Sequence, residues 1–251
     1  EKIYSKKINK IAKKNLEIKK NAYSNIQKMT IISPSQFLLK EINNSKLFEF
    51  FKKEQVFNGI DLDIFKPYNK ELACEIMNLP KNKKFILFLA DDHNRINKGK
   101  DIFLKIYKKT KEKYNFLIVG KNSFCENYIL DGVYQIGFMK DEKLLPILYS
   151  CVDISIVPSR YESFSLVTIE SIACGVPVVA FDTSGPKEIL EHKISGYLAK
   201  IDNIEDFING IEYLSKTEYT EKFKIETLKR SKLFDINLIA KQYENIYNEL
   251  I

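Results

Sequence analysis

From residue 85 onward, short apolar runs alternate with stretches that repeat apolar residues at helical spacing. The runs FILFLA at 85–90, FLIV at 116–119, residues 133–136, ISIV at 154–157 and PVVAF at 177–181 read as strands. They are rich in β-branched residues and too short for helices. The segments between them, about 100–113, 141–150, 165–173 and one after Pro186, read as amphipathic helices. Strands apolar on both faces are covered on both faces, so the pattern predicts an α/β domain with a doubly wound parallel sheet. Ligands are expected at the carboxyl ends of its strands. Ahead of this unit stand a short apolar strand at 29–32, a break at Ser33-Pro34-Ser35, a helix to about Glu41 and a loop around Asn58-Gly59-Ile60-Asp61. Behind it, helical stretches at about 203–217, 218–232 and 235–250 finish the chain, and no internal repeat or low-complexity linker interrupts it.

The opening stretch has another pattern. Tyr4, Ile8, Ile11, Ile18, Ala22 and Ile26 fall roughly on one helical face, with lysines over the rest. Residues 1–28 hold nine lysines against two glutamates, an excess of +7 that equals the net charge of the whole 251-residue chain. The charge therefore marks a segment and not a basic domain. No aromatic-basic interleaving accompanies it, so nucleic-acid binding is not expected. A basic amphipathic helix over 1–28 fits contact with an anionic membrane surface, and also a packed helix with a solvated lysine face. Overall, 45% hydrophobic and 29% charged residues exclude a disordered chain. No apolar run approaches the ~18 residues of a spanning helix. Because the chain starts at Glu1 inside a helical pattern, it is expected to be a piece of something longer.

Cys74, Cys125, Cys151 and Cys174 are far apart and form no C-x-x-C pair, and His93 and His192 are the only histidines. A zinc site wants clustered ligands, so metal-free chemistry in a reducing, cytoplasmic setting is expected. Asp91-Asp92 could hold a divalent ion but more often such a pair is a loop feature. Glu191 and His192 read as surface residues, and Tyr161 as a candidate sugar platform.

The densest chemistry lies at 158–177, PSRYESFSLVTIESIACGVP. A buried strand ends at Val157, a loop carries Glu162, and a helix starts near Ser165 with Glu170 about one and a half turns in. Ser163 or Ser165 can cap that helix, and its free N–H groups beyond the strand ends make an anion site. Gly175 suits the left-handed residue that closes the helix, before Pro177 opens the next strand. Two acids near a helix start are equally compatible with solvated side chains.

The whole pattern says more. Glu162, seven residues, Glu170, then Ala173-x-Gly175-x-Pro177-Val178-Val179 resembles the retaining nucleotide-sugar glycosyltransferases of group 1, also called family 4, with the GT-B fold. Ile32-Ser33-Pro34-Ser35, Asn58-Gly59-Ile60-Asp61 with Phe65-Lys66-Pro67, Lys98-Gly99, and Ser184-Gly185-Pro186-Lys187-Glu188 are similar to further signatures of that family, in its order. The likeness runs from about residue 30 to 200. It implies three parts: a remnant of an N-terminal, acceptor-side domain at 1–57, a Rossmann-like nucleotide-sugar domain at 58–234, and a C-terminal crossover helix at 235–251.

The resemblance also implies roles. Lys98, with Arg95 nearby, would stabilise charge on the leaving diphosphate; His93 stands where the family usually has arginine. Glu162 would hold hydroxyls of the transferred sugar and Glu170 those of the ribose. Phe164, Ser165 and Leu166 would offer backbone N–H groups, with Ser165 in place of the more usual glycine, and Gly137 and Phe138 would meet the base. The implied function is retaining hexosyl transfer from a nucleotide sugar, UDP-linked by default, to a glycan or lipid-linked acceptor in bacterial surface polysaccharide biosynthesis. It needs no metal or other cofactor, and the chain as it stands would be incomplete and inactive. It would work in the cytoplasm, with helix 1–28 as a peripheral contact to the inner membrane. A non-catalytic nucleotide-binding module and, further off, a nucleotide-sugar epimerase are the other readings.

Overall fold

The computed structural model describes residues 2–122, 130–216 and 220–250, with side chains from residue 10 onward and from 221 in the last segment. Cys125 and parts of the 203–217 and 218–232 helices lie outside the described residues, as do the side chains of Tyr4 and Ile8. Six parallel strands form the main sheet: β3 (Phe85–Asp92), β4 (Asn115–Lys121), β5 (Val133–Ile136), β6 (Ile154–Val157), β7 (Val178–Phe181) and β8 (Gly196–Ala199). Their spatial order is β5-β4-β3-β6-β7-β8. The chain moves outward one way from β3, then returns to β6 and moves outward the other way, so the sheet reverses direction between β3 and β6. In such sheets the crevice beyond that point takes the ligand.

The alternating side chains of β3 explain the two layers. Ile86 and Phe88 face a core built with α4 (Lys100–Thr110) and α8 (Ile204–Leu214). Phe85 and Leu87 face the opposite core, which includes Ala73 and Cys74 of α3 (Lys70–Ile76) and Leu148 and Tyr149 of α5 (Leu145–Ser150). On that same side Val178 and Ala180 pack against α6 (Leu166–Ala173) and α7 (Ser184–Ile189). The doubly wound α/β expectation is borne out. Strand β8, the helix α3 and a polar strand β2 (Lys52–Gln55) were not foreseen, and α7 begins two residues before Pro186 instead of after it. Proline is well tolerated in a first helical turn, where its missing N–H is not needed.

A second, smaller assembly lies alongside. β1 (Thr30–Ser33) pairs in parallel with β2, and α2 (Gln36–Asn43), which lies between them in sequence, packs against both. Val56 shares a core with Ile239 and Ile246 of α10 (Ile236–Leu250), with Ile32 and Tyr243 against it. Two chain passes connect the assemblies side by side: Ile60 N–H donates to the Phe234 carbonyl and Ile236 N–H to the Ile60 carbonyl. The chain thus leaves and returns at one place.

Among the described side chains of the helix α1 (Lys2–Ser24), Ile11, Leu16 and Ile18 are exposed, and Tyr23 near its end packs against Phe48 and Phe51. No helix among the described residues is long and apolar enough to cross a membrane. The Cys74, Cys151 and Cys174 thiols are free and buried, and burial pushes the last two up, as expected of core thiols.

Candidate functional site

The three segments that supply the predicted residues meet in one cleft of about 490 Å³ over the carboxyl ends of β3 and β6. That size suits a small-molecule ligand.

The loop after β3 carries the cations. Asp92 accepts hydrogen bonds from Asn122 Nδ2 and the Asn94 N–H, which hold its carboxyl below its ordinary range. The loop is also tied down by His93, whose N–H donates to the Lys121 carbonyl and whose Nε2 lies 2.9 Å from the Val119 carbonyl. His93 therefore turns into the core against Phe88 and does not line the cleft. Burial holds its imidazole below the usual range, and Nδ1 has no hydrogen-bond partner among the described residues. Asp91 and Asp92 serve the loop, with Asp91 paired to Arg95 at 3.0 Å. No cluster of three or more His, Cys, Asp or Glu suited to a metal is found among the described residues.

Lys98 ends a 3-10 turn, Ile96–Lys98, and Gly99 follows at φ +75°. A Cβ on Gly99 would stand 2.1 Å from the Pro158 carbonyl oxygen. Glycine therefore lets the lysine loop press onto the end of β6. The result brings Lys98 Nζ to 3.0 Å from Glu162 Oε1, both side chains largely buried at 19% and 14% exposure. The first two predicted catalytic residues thus form one ion pair. Arg95 also lines the cleft, although it is 60% exposed.

Glu162 is fixed by the turn into α7. Its N–H donates to Ser184 Oγ, and its carbonyl accepts from the Gly185 N–H. Glu188, in the same predicted motif, points elsewhere. Its carboxylate accepts from the Gln36 and Phe37 N–H groups at the start of α2, at 2.8 and 2.9 Å, and from Gln55. It fastens the smaller assembly to the larger. Tyr161 meets that junction edge-on through Phe37, at 5.4 Å between ring centroids.

The start of α6 differs from expectation in one respect. Ser165 sits at the cap position, but at φ +96° its hydroxyl bonds the Thr168 hydroxyl and caps no N–H. A left-handed backbone favours glycine, which is the physical reason glycine would be commoner there. With no side-chain cap, the N–H groups of Phe164, Ser165 and Leu166 carry no hydrogen bond among the described residues, and these residues line the cleft. The Phe164 ring is buried against Phe57 and Phe234, so it sets the position of this backbone. Gly175 closes α6 at φ +77°, as its sequence context predicts.

Glu170 lies deeper. Its Oε2 accepts from the Tyr149 hydroxyl at 2.8 Å. Burial pushes its carboxyl up to about 7; the Tyr149 bond opposes that, and Glu142 adds to it. Phe138 lines the cleft with Lys121 Nζ 4.6 Å from its ring centre, whereas Gly137 does not line it. Glu191 pairs with Arg230, and His192 Nδ1 accepts from the Leu198 N–H, both away from the cleft. Sequence reasoning missed Tyr149 and Glu142. A lone tyrosine among the apolar residues of 145–150 was a signal that its hydroxyl needs a partner.

An uncharacterised glycosyltransferase of Haemophilus influenzae is 35% identical over 149 residues, which is 54% of this chain and 42% of that protein. The sucrose-phosphate synthase of Thermosynechococcus elongatus superposes with a TM-score of 0.78 at 23% identity, over 95% of this chain and 62% of the other. HepE from Anabaena, solved with UDP-glucose, gives 0.77 at 20% identity, over 94% of this chain and 68% of the other. These structures share the fold, and the chain spans less than half of the Haemophilus protein. The family model for glycosyl transferases group 1 matches residues 69–230, from the start of α3 through the cleft to α9 (Thr220–Ser231). With most of its length matched, and every lining residue of the cleft except Asn58 inside the matched region, the chain belongs to the glycosyl transferases of group 1.

Proposed function

We propose that this chain is the donor-binding part of a hexosyltransferase of the retaining, family 4 kind. It takes a nucleoside-diphosphate sugar, UDP-linked by default, and passes the sugar to a glycan or lipid-linked acceptor in bacterial surface polysaccharide synthesis. One observation carries the reading: an uncapped helix start, a lysine and two glutamates converge at the strand ends of one cleft. The complex of HepE with UDP-glucose, on the same fold, supports the donor class.

The diphosphate sits at the start of α6, where the N–H groups of Phe164, Ser165 and Leu166 point at it. As the C1–O bond to phosphate breaks, Lys98, assisted by Arg95, takes the developing charge. Donor binding separates the ion pair, turning Lys98 to the phosphate and Glu162 to the sugar hydroxyls. The acceptor oxygen bonds to C1 on the same face and its proton passes to the leaving phosphate, so neither glutamate acts as nucleophile. Glu170 accepts from the ribose, and Phe138 with Gly137 borders the base. The lysine and helix start supply the positive charge, so the scheme calls for no metal. Residues 1–57 and 235–251 belong to the acceptor-side domain in this scheme, and 58–234 to the donor domain; the shared core of Val56, Ile239 and Ile246 supports that division. This chain without the rest of the acceptor side is then inactive.

A thermal-shift panel of UDP, GDP, ADP, TDP and CMP without metal tests the reading. A ligand at a hundredfold its Kd should add about 2.7 kcal/mol of stability. A shift with one diphosphate, lost in Glu170→Ala, is the expected result. No shift with any of them, in this chain and in the whole protein alike, overturns it.

A cytoplasmic protein resting on the inner membrane is part of the same proposal. The exposed Ile11, Leu16 and Ile18 on a lysine-rich α1 support it. The whole protein should sediment with vesicles rich in phosphatidylglycerol, and less so as Ile11→Asp/Ile18→Asp. Equal sedimentation with neutral vesicles removes the role of the lysines, and no sedimentation with either kind removes the membrane contact.

A further inference from the structure

Tyr149 is fully buried on α5, its ring in the core with Phe85, Leu87 and Leu117. Phenylalanine would fill that space, so the hydroxyl needs its own account. It donates to Glu170 Oε2 at 2.8 Å, with the Val167 carbonyl 3.4 Å away. The core of the sheet thus reaches through to one oxygen of a cleft residue, while Glu170 Oε1 carries no hydrogen bond among the described residues. An ionised carboxylate accepts on both oxygens. We propose that Tyr149 is a positioning residue for nucleotide recognition: it holds the Glu170 carboxylate in one orientation by occupying Oε2, so that Oε1 is presented to the ribose hydroxyls. This rests on the donor-site reading above.

Holding an acceptor in its bound geometry before the ligand arrives removes part of the ordering cost of binding. The bond also favours the ionised carboxylate, the form that accepts from a diol. The groups that face Glu170 are Tyr149 from α5, Glu142 from the 3-10 turn Glu142–Leu144, and Cys174 from its own helix, with Lys98 and Glu162 across the cleft. Tyr149 alone among those shifting Glu170 draws its carboxyl downward, against burial and Glu142. The buried phenol, itself pushed up by burial and by Glu170, stays a donor throughout the working range.

The test is calorimetric binding of UDP, GDP and ADP, each against its 2′-deoxy counterpart, to this chain and to Tyr149→Phe between pH 6 and 9. The wild type should prefer the ribonucleotide, and Tyr149→Phe should weaken that form by about tenfold while changing the deoxy form much less. The pH at which half of the affinity is gained should move upward in the variant. Phenylalanine preserves the packing, so a near-wild-type melting temperature separates positioning from damage to the core. Equal weakening of both nucleotides, or an unmoved pH midpoint with ribose preference intact, overturns the role of Tyr149 alone. A wild type that binds no diphosphate, in this chain and in the whole protein alike, or that does not distinguish ribose from deoxyribose, overturns the Glu170 reading and this inference together.

Discussion

Replacing Lys98 by alanine is expected to lower kcat for sugar transfer in the whole protein by roughly 10²–10³, the usual loss when one preorganised charge stabiliser is removed. The ion pair complicates the result. Glu162 is largely buried beside Lys98, 3.0 Å away. Stranding it costs stability as well, about 1–3 kcal/mol for a charged group that loses its partner. A lower rate could then reflect a loosened loop and not lost chemistry. The double variant Lys98→Ala/Glu162→Gln separates the two, because the neutral amide no longer needs a cation.

If Lys98 and Glu162 only brace the loop after β3, the double variant recovers both melting temperature and turnover. If they act on the phosphate and the sugar, it recovers the melting temperature and stays inactive. Single-turnover measurement at saturating donor should place the loss of Lys98→Ala in the chemical step, since the phosphate charge grows there. A wild-type kcat in Lys98→Ala removes lysine from the mechanism.

The parts of this molecule legible in its sequence are those with local causes. The run ISIV coincides with β6, because a strand buried on both faces needs an unbroken apolar run, whereas β5 at the sheet edge, VYQI, is only half-buried and keeps an exposed Gln135 within its β-branched frame. Strand β2, KKEQ, has no such run. It is half-exposed and is defined by pairing with β1, which no local pattern reveals. Strand β8 pairs on one side only among the described strands, and its four residues begin with a glycine. The same division holds in the cleft. Glu162, Glu170 and Lys98 stand in motifs, whereas the hydroxyl that braces Glu170 comes from a helix 21 residues earlier. Glu188 was placed in a turn motif, yet its partners at 36 and 37 are some 150 residues away. Side-chain capping by Ser165 failed because its backbone is left-handed, and no propensity for serine at caps anticipates that.

Replacing Glu170 by glutamine should make the protein more stable at pH 8 while weakening nucleotide binding by tenfold or more, at about 1.5–3 kcal/mol for lost charged hydrogen bonds. The sign follows from its carboxyl, which burial raises from an ordinary 4.5 to about 7. Below about 4.5 the group is protonated in folded and unfolded chains alike. Between about 4.5 and 7 the unfolded chain releases the proton and the folded chain retains it, so the folded state binds more protons and loses stability as pH rises. Above about 7 the deficit is complete, roughly 2 kcal/mol once solvent reaching the group through the cleft is allowed for. Glutamine stays neutral and can still accept from Tyr149, so Glu170→Gln should match the wild type near pH 4 and melt higher at pH 8. Nucleotide affinity of the wild type should run the other way, rising with pH through about 7 as the carboxylate forms. A buried acid kept at such a cost is what a binding site requires and a structural core does not. If unfolding curves of the two proteins stay parallel from pH 4 to 8, Glu170 is not a buried acid of this kind; if Glu170→Gln binds UDP, GDP and ADP as the wild type does, its carboxylate does not read the ribose.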